Sequence, residues 1–365
     1  MAATSAASSA SPVVSNDLVP GFQVLSMTFV SAQQGFALGT VGCGSSRCVA
    51  LLGTSDGGGI WRRLTAPATT PAGANGTART CPSSQPCVSQ VRFATPLIGY
   101  AYGPSLLVTS DGGGRWSRMT GPDVSSLEAA NGIVTRVASS APGCSGLRSQ
   151  IGDATVGGGT WQALPAPAVG TICPPVLYRQ GNRLVLAGYG NPAGGVRATA
   201  QIARSSDGGK TWASGPDKCG GASGYASAVA LAPPDVLVLI CQAQKPASNG
   251  TYGPAWVRVS VNGGATFGPD RQVVSGPAAP PGTLLQYQLA AASDGRLLVV
   301  ETGSSGSRAL LTENGGRTWS PALSMAPGPG VVLVGYQNPL TARIAQGDKV
   351  WTTGNGGQTW TRDRF

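Results

Sequence analysis

One eight-residue motif recurs seven times along the chain, and it constrains the fold more than any other feature. The copies are TSDGGGIW (54–61), TSDGGGRW (109–116), ATVGGGTW (154–161), SSDGGKTW (205–212), SVNGGATF (260–267), TENGGRTW (312–319) and TGNGGQTW (353–360). Successive copies begin 55, 45, 51, 55, 52 and 41 residues apart. A length of 365 residues would by itself suggest two or three domains. A sustained period of this size instead marks one supersecondary unit, repeated so that each copy buries its faces on its neighbours.

The flanks say what the unit is. Short alternating or apolar runs precede the motif, such as Cys48-Val-Ala-Leu-Leu and Ala255-Trp-Val-Arg-Val, and an aromatic residue with a few more residues follows it. Both stretches are of strand length, and an Asp-Gly or Asn-Gly step between them is a strong hairpin signal. Two further strand-like runs lie upstream in each unit, for example Val24–Val30 with Gly35–Thr40. Four short antiparallel strands, seven times over, predict an all-β, seven-bladed β-propeller with the motif hairpin between the third and fourth strands. The expected organisation is a flexible Ala/Ser/Pro-rich tether over 1–20 and a single propeller over 21–365. Each unit contains its own four strands, so strand exchange at ring closure is either absent or uses Val13–Val14.

The S/T-x-D/N-x-G-x-T-W pattern resembles the Asp-box (BNR) repeat of sialidases, sortilin-type receptor propellers, some glycanases and photosystem II assembly-factor-like proteins. The phrases GFALGT after VLSMTFVSAQQ and GYAYG after VRFATPLI look most like the seven-bladed, assembly-factor-like branch. In that family the box sits on the blade periphery, away from the ligand face. The resemblance therefore implies a structural role for Asp56, Asp111, Asp207, Asn262, Asn314 and Asn355, and for Trp61, Trp116, Trp161, Trp212, Trp319 and Trp360. The third copy departs from the pattern with Ala154 and Val156, and the fifth ends in Phe267. Locally, the second glycine of each pair supplies positive φ, and the Asp or Asn accepts backbone N–H bonds within its own turn. The aromatic residue starts the outer strand and buries its ring between sheets.

The absence of histidine excludes much chemistry: Ser-His-Asp and Cys-His nucleophile activation, His-ligated metals and His proton shuttles. No metal and no cofactor are expected. Gly209-Lys210-Thr211 imitates the end of a phosphate loop, but Arg204 stands where the leading glycine is required and a strand is expected to follow. Eight cysteines fall into sequence-near pairs, Cys43/Cys48, Cys81/Cys87, Cys144/Cys173 and Cys219/Cys241. Disulfides and hence an oxidising compartment are expected, with metal binding the competing reading. The expected location is secreted or cell-envelope. No apolar run is long enough to span a membrane.

The formal charge of +10 comes almost wholly from arginine, since Lys stands only at 210, 218, 245 and 349. Such a balance attracts polyanions, yet no run of five like charges exists, and specific nucleic-acid binding is not expected. A propeller binds ligands at the mouth of its central channel, on its innermost strands. These are predicted near 24–30, 88–94, 124–130, 175–180, 225–232, 284–290 and 331–337. Candidate binding residues there are Arg92, Glu128, Tyr178, Arg179, Gln286, Gln288 and Tyr336. Arg92 and Arg179 near Glu128 would form a charged funnel; the alternative is a structural ion pair or a solvated rim.

Sialidase activity requires an arginine triad, a Tyr-Glu nucleophile pair and an Asp acid/base. No Arg lies in the Phe22–Phe29 region, and only Glu128, Glu301 and Glu313 are glutamates. No catalytic residue is assigned. The leading expectation is a monomeric, non-enzymatic binding or scaffold propeller for a protein or glycan partner at the cell envelope. The runner-up is a sialidase-like glycoside hydrolase or lyase using Glu128 or Glu301 with a channel Asp. An electrostatic binder of anionic envelope polymer ranks third.

Overall fold

The structure, a computed structural model, describes residues 19–72, 86–139, 150–167, 176–189, 200–216, 219, 224–243, 255–273 and 286–365. Seven four-stranded antiparallel sheets follow one another, each built from consecutive strands. Blade 1 comprises Gln23–Phe29, Gly35–Cys43, Ser46–Thr54 and Arg62–Leu64, and blade 7 comprises Val332–Tyr336, Ala342–Gln346, Lys349–Thr353 and Thr361–Arg364. The first strands of blades 2 to 6 are Gln90–Phe93, Asp123–Ala130, Val176–Gln180, Gly224–Ala232 and Gln286–Ala291. From blade 1 to blade 7 each first strand touches the next, so the first strands are the innermost. The chain is a seven-bladed β-propeller, and the described residues contain no helix.

Each inner strand lies within a few residues of its predicted place. In blade 2, however, Cys87–Val88 leaves the inner strand to pair in parallel with Thr70–Pro71, and the antiparallel register with the second strand runs from Gln90. The expected leader over 1–20, including Val13–Val14, lies almost wholly outside the described residues.

The recurring motif forms a corner held by one hydroxyl and one carboxylate or amide. In blade 1 the buried Thr54 hydroxyl donates to Asp56 Oδ1 at 2.7 Å and accepts the Gly58 N–H at 3.0 Å, while Asp56 Oδ1 also accepts the Ile60 N–H at 3.0 Å. The same bonds recur around Thr109/Asp111, Ser205/Asp207, Ser260/Asn262, Thr312/Asn314 and Thr353/Asn355. Both glycines, not the second alone, take positive φ: Gly57 at 84° and Gly58 at 106°. A Cβ at either would be strained.

Blade 3 departs from the expected alignment. Thr155 opposes Ile133 as Thr54 opposes Gly35, so Thr155, not Ala154, holds the first corner position, and its corner is one residue shorter. With no carboxylate present, the Tyr100 hydroxyl of blade 2 accepts the Gly157 N–H at 2.8 Å. The aromatic residues stand just ahead of the outer strands rather than starting them, as Trp61 does before Arg62–Leu64.

Alternate side chains on each sheet face opposite neighbours, and the buried apolar residues separate into seven clusters, each straddling one blade boundary. Each cluster receives one corner aromatic: Trp116 joins blades 1 and 2, Trp319 blades 5 and 6, Trp360 blades 6 and 7. The ring closes without a shared strand among the described residues. Phe22, Val24 and Trp61 of blade 1 pack with Ala345, Val350 and Phe365 of blade 7. Phe365 lies 5.1 Å from Phe22 and 4.9 Å from Trp61, ring centre to ring centre. The Val24 N–H donates to Gly347 O at 2.9 Å. Arg343, also buried, lies over the Phe29 ring at 3.5 Å and donates to Gly57 O and Ala32 O of blade 1. Burial pulls its guanidinium down to about 10.

Two disulfides agree with expectation: Cys43–Cys48 ties the tip of a blade 1 hairpin, and Cys219–Cys241 ties the entry of blade 5 to its second strand. Cys87 is also disulfide-bonded. Cys81, Cys144 and Cys173 lie outside the described residues.

Replacing Phe365 by Ala empties the blade 7–blade 1 seam, and a loss of about 3 kcal/mol is expected in denaturant unfolding; a loss under about 1 kcal/mol would mean that the seam does not close the ring. The corner carboxylates predict an acid limb. The Thr211 hydroxyl and N–H and the Ser205 hydroxyl hold the Asp207 carboxyl well below the usual carboxylate range. A depressed folded-state value gives stability that is complete above the unfolded value near pH 4 and is lost as pH falls below it. Asp207→Asn, which copies the neutral corners at 262, 314 and 355, is expected to flatten that limb in thermal melts between about pH 2 and 5.

Candidate functional site

The inner strands enter at the mouth opposite the corners, because each first-to-second-strand loop is bonded to its own corner, as Gly57 N–H is to Gln33 O at 2.7 Å. The pleat sends alternate residues of these strands into the seams and the others to the channel wall. In blade 6, Tyr287 and Leu289 are buried, and Gln286 and Gln288 are exposed. Gln286 is the first residue of its strand and stands at the mouth.

The charged candidates do not form one funnel. Arg92 Nη2 meets Glu128 Oε1 at 2.6 Å across the inner edges of blades 2 and 3. Burial pushes the Glu128 carboxyl up, with Arg92 pulling the other way. Burial also pushes the neighbouring Tyr102 phenol up to about 12. Arg179 has a different carboxylate: its Nη1 contacts both Asp153 oxygens at 3.4 Å and the Thr135 hydroxyl, and its Nε donates to Gly181 O at 3.0 Å. Its side chain is 2% exposed, and the contact joins blade 4 to blade 3. The geometry is that of two ion pairs across blade boundaries, as the structural alternative expects.

Two more candidates are turned to packing. The Tyr336 hydroxyl donates to Gly356 O at 2.8 Å, inside the blade 7 corner, and Tyr178 packs into the seam between blades 4 and 5. Glu301, a carboxylate of the runner-up reading, is buried in blade 6, accepting from Arg308 Nε at 2.7 Å and the Tyr287 hydroxyl at 3.2 Å.

Asp153 is the residue that sequence reading passed over. Strand register places Glu128, Thr135 and Asp153 directly opposite one another across three strands. Two strand spacings put the two acidic backbones about 9.6 Å apart on one face. The pairing Glu128↔Thr135↔Asp153 depends on register, which a single sequence does not display. Asp123, exposed at the start of the same inner strand, is five residues or about 17 Å from Glu128. Among the described residues no group of three or more Cys, Asp or Glu side chains is placed to hold a metal ion, and no helix is long and apolar enough to cross a membrane.

A double-mutant cycle on Arg92→Gln and Glu128→Gln is expected to give a coupling of about 1–2 kcal/mol for this partly exposed pair. A coupling near zero in urea unfolding would return both side chains to the pool of free ligand-binding groups.

No protein-family model matches the chain, and no curated protein matches it. Solved structures do. The chain is 18% identical to YCF48 bound to D1 peptide, with 96% of this chain and 95% of that one covered and a TM-score of 0.56. It is 10% identical to KlAtg21 in complex with the coiled coil of AgAtg16, covering 94% and 99%, with a TM-score of 0.54. It is 14% identical to the GH93 α-L-arabinofuranosidase of Fusarium graminearum in complex with arabinobiose, covering 96% and 94%, with a TM-score of 0.47. At these identities the likeness is one of fold.

Proposed function

We propose that this chain is an exported, non-enzymatic propeller of the Asp-box type that presents the mouth of its channel to a protein or glycan partner. The observation that carries the reading is the fate of the charges on the channel wall. Arg92 with Glu128, and Arg179 with Asp153, are spent on joining blades. The exposed Gln286 and Gln288 offer neutral donors and acceptors instead. Amides of this kind recognise peptide groups and sugar hydroxyls without forcing a charge out of water. Two of the similar structures are, by their own descriptions, complexes with a peptide and with a coiled coil. The two described disulfides support an oxidising compartment.

A hydrolase is the second reading, and the Glu128–Asp153 row favours it. Burial raises the Glu128 carboxyl, the direction a general acid needs. Against it, Thr135 is fully buried between the two and Arg179 covers Asp153, so the space a glycosidic bond would need is filled by protein. The polyanion reading is third, because many of the arginines already donate to backbone carbonyls.

The test is a pull-down from the native envelope fraction together with a glycan array, comparing the wild type with a Gln286→Ala/Gln288→Ala variant. A specific partner or glycan retained by the wild type and at least fivefold weaker in the variant is expected. Equal retention by both proteins would remove the mouth from the binding surface. Glycan cleavage that disappears in Glu128→Gln would establish the hydrolase instead.

A further inference from the structure

The seven corners serve as controls for one another, and two depart from the common pattern: blade 3, whose corner is completed by Tyr100, and blade 5. Six of the outer strands begin directly after the corner aromatic, as Arg62 follows Trp61 and Ser320 follows Trp319. In blade 5 the aromatic is Phe267, and Gly268-Pro269-Asp270 intervene before the outer strand at Arg271–Gln272. The excursion is built in: Gly268 N–H donates to Val259 O at 2.8 Å, and Asp270 pairs with Arg258 at 2.6 Å. The second corner position is Ser in blades 1, 2 and 4, Glu in blade 6, Gly in blade 7 and in blade 3 Val156, packed against the blade 2–blade 3 cluster, whereas in blade 5 it is Val261, which is 62% exposed.

These departures form one wall of a cleft of about 450 Å³ between blades 5 and 6, whose other wall is the blade 6 corner. The volume is within the range of small-ligand pockets. Arg271 is fixed in it by two bonds from Nη1, to Asn314 O and Gly315 O, both at 3.0 Å. Arg317 stands exposed on the opposite wall. Neither arginine is paired with a carboxylate among the described residues. Both corners here carry Asn (Asn262 and Asn314) where blades 1, 2 and 4 carry Asp, and the blade 6 corner's Glu313 is paired with Arg296 at 2.8 Å. Asp294 contributes one exposed carboxylate, also unpaired among the described residues.

We propose that this cleft is a second binding site, separate from the channel mouth, for a peptide segment that carries a carboxylate beside an aliphatic side chain. Val261, Phe267 and Pro269 form the apolar surface for that side chain, and the guanidinium groups of Arg271 and Arg317 take the carboxylate. Asp294 disfavours a dianion such as phosphate and accepts a peptide N–H. Arg271 is already immobilised by the blade 6 carbonyls, so less side-chain entropy is lost when it takes an anion.

The probe is N-acetyl-leucine, titrated into the full chain and followed by ligand-observed NMR, with N-acetyl-leucinamide as the uncharged control. Saturable binding with a Kd on the order of 1 mM is expected for a ligand of this size. Arg317→Ala and Val261→Asp, both at exposed positions, are each expected to weaken it at least fivefold. Arg115→Ala, on the blade 2 corner, and Gln286→Ala/Gln288→Ala are expected to leave it unchanged. Absence of saturable binding to the wild type, equal binding of the amide, unaltered binding by Arg317→Ala, or displacement by equimolar inorganic phosphate would each overturn the proposal. Failure of partner capture at the channel mouth leaves this titration unaffected, so the two sites are judged separately.

Discussion

No blade of this protein has a core of its own. A four-stranded sheet buries nothing by itself, and here each apolar cluster is shared by two sheets, so the stabilising unit is the seam between blades. An open stack would leave two apolar faces in water, at roughly 25 cal/mol for each Å² exposed. Closure follows from that cost. The seventh seam is made by side chains arriving from both ends of the described ring, Phe22 and Trp61 from one and Phe365 from the other, with Arg343 crossing between the two blades. The burial of a charged arginine there is tolerable because the backbone carbonyls of Gly57 and Ala32 and the Phe29 ring replace its water.

Arginine performs the same task elsewhere, which gives the excess positive charge a structural meaning. Arg204 donates to Gly263 O, Arg271 to Asn314 O and Gly315 O, and Arg296 to Pro339 O, each reaching into the following blade. A planar guanidinium with five donors suits such bridging, and a lysine ammonium does not. A chain that joins its repeats through carbonyl acceptors needs no matching number of carboxylates. The net charge of +10 thus follows partly from how the blades are joined, and it is a weak argument for a polyanionic partner.

The parts of the fold legible in the sequence were those set by local chemistry. Glycine pairs at a fixed offset from a hydroxyl residue and an aromatic residue dictate a corner wherever they occur, and Thr54, Asp56 and Gly58 complete theirs within five residues. Alternation gave the strands, and cysteine proximity gave Cys43–Cys48. What stayed hidden was set by register and by contacts between blades. Ala154 aligns with the motif by eye, yet the ladder puts Thr155 in its place, and the compensating group, Tyr100, belongs to another blade. Arg179 and Glu128 both lie on inner strands, but the carboxylate that Arg179 meets is Asp153, on the third strand of blade 3. Nothing in spacing along the chain encodes that distance.

Repetition also separates structure from function more sharply than composition does. A residue kept in most corners is explained by the corner itself: the hydroxyl at the first position satisfies a buried N–H whichever blade it serves. A residue that breaks the pattern needs a separate cause. In blade 3 the cause is internal, since a shorter corner is completed by Tyr100. In blade 5 no such compensation accounts for Val261, for Phe267 in place of Trp, or for the Gly268-Pro269-Asp270 excursion. Val261 and Pro269 expose apolar surface, which costs stability, while Phe267 packs into the seam between blades 4 and 5 as the other corner aromatics pack into theirs. Tryptophan stands at the other six corners and no other outer strand is preceded by such an excursion, so the departure in blade 5 is read as selection for contact with another molecule.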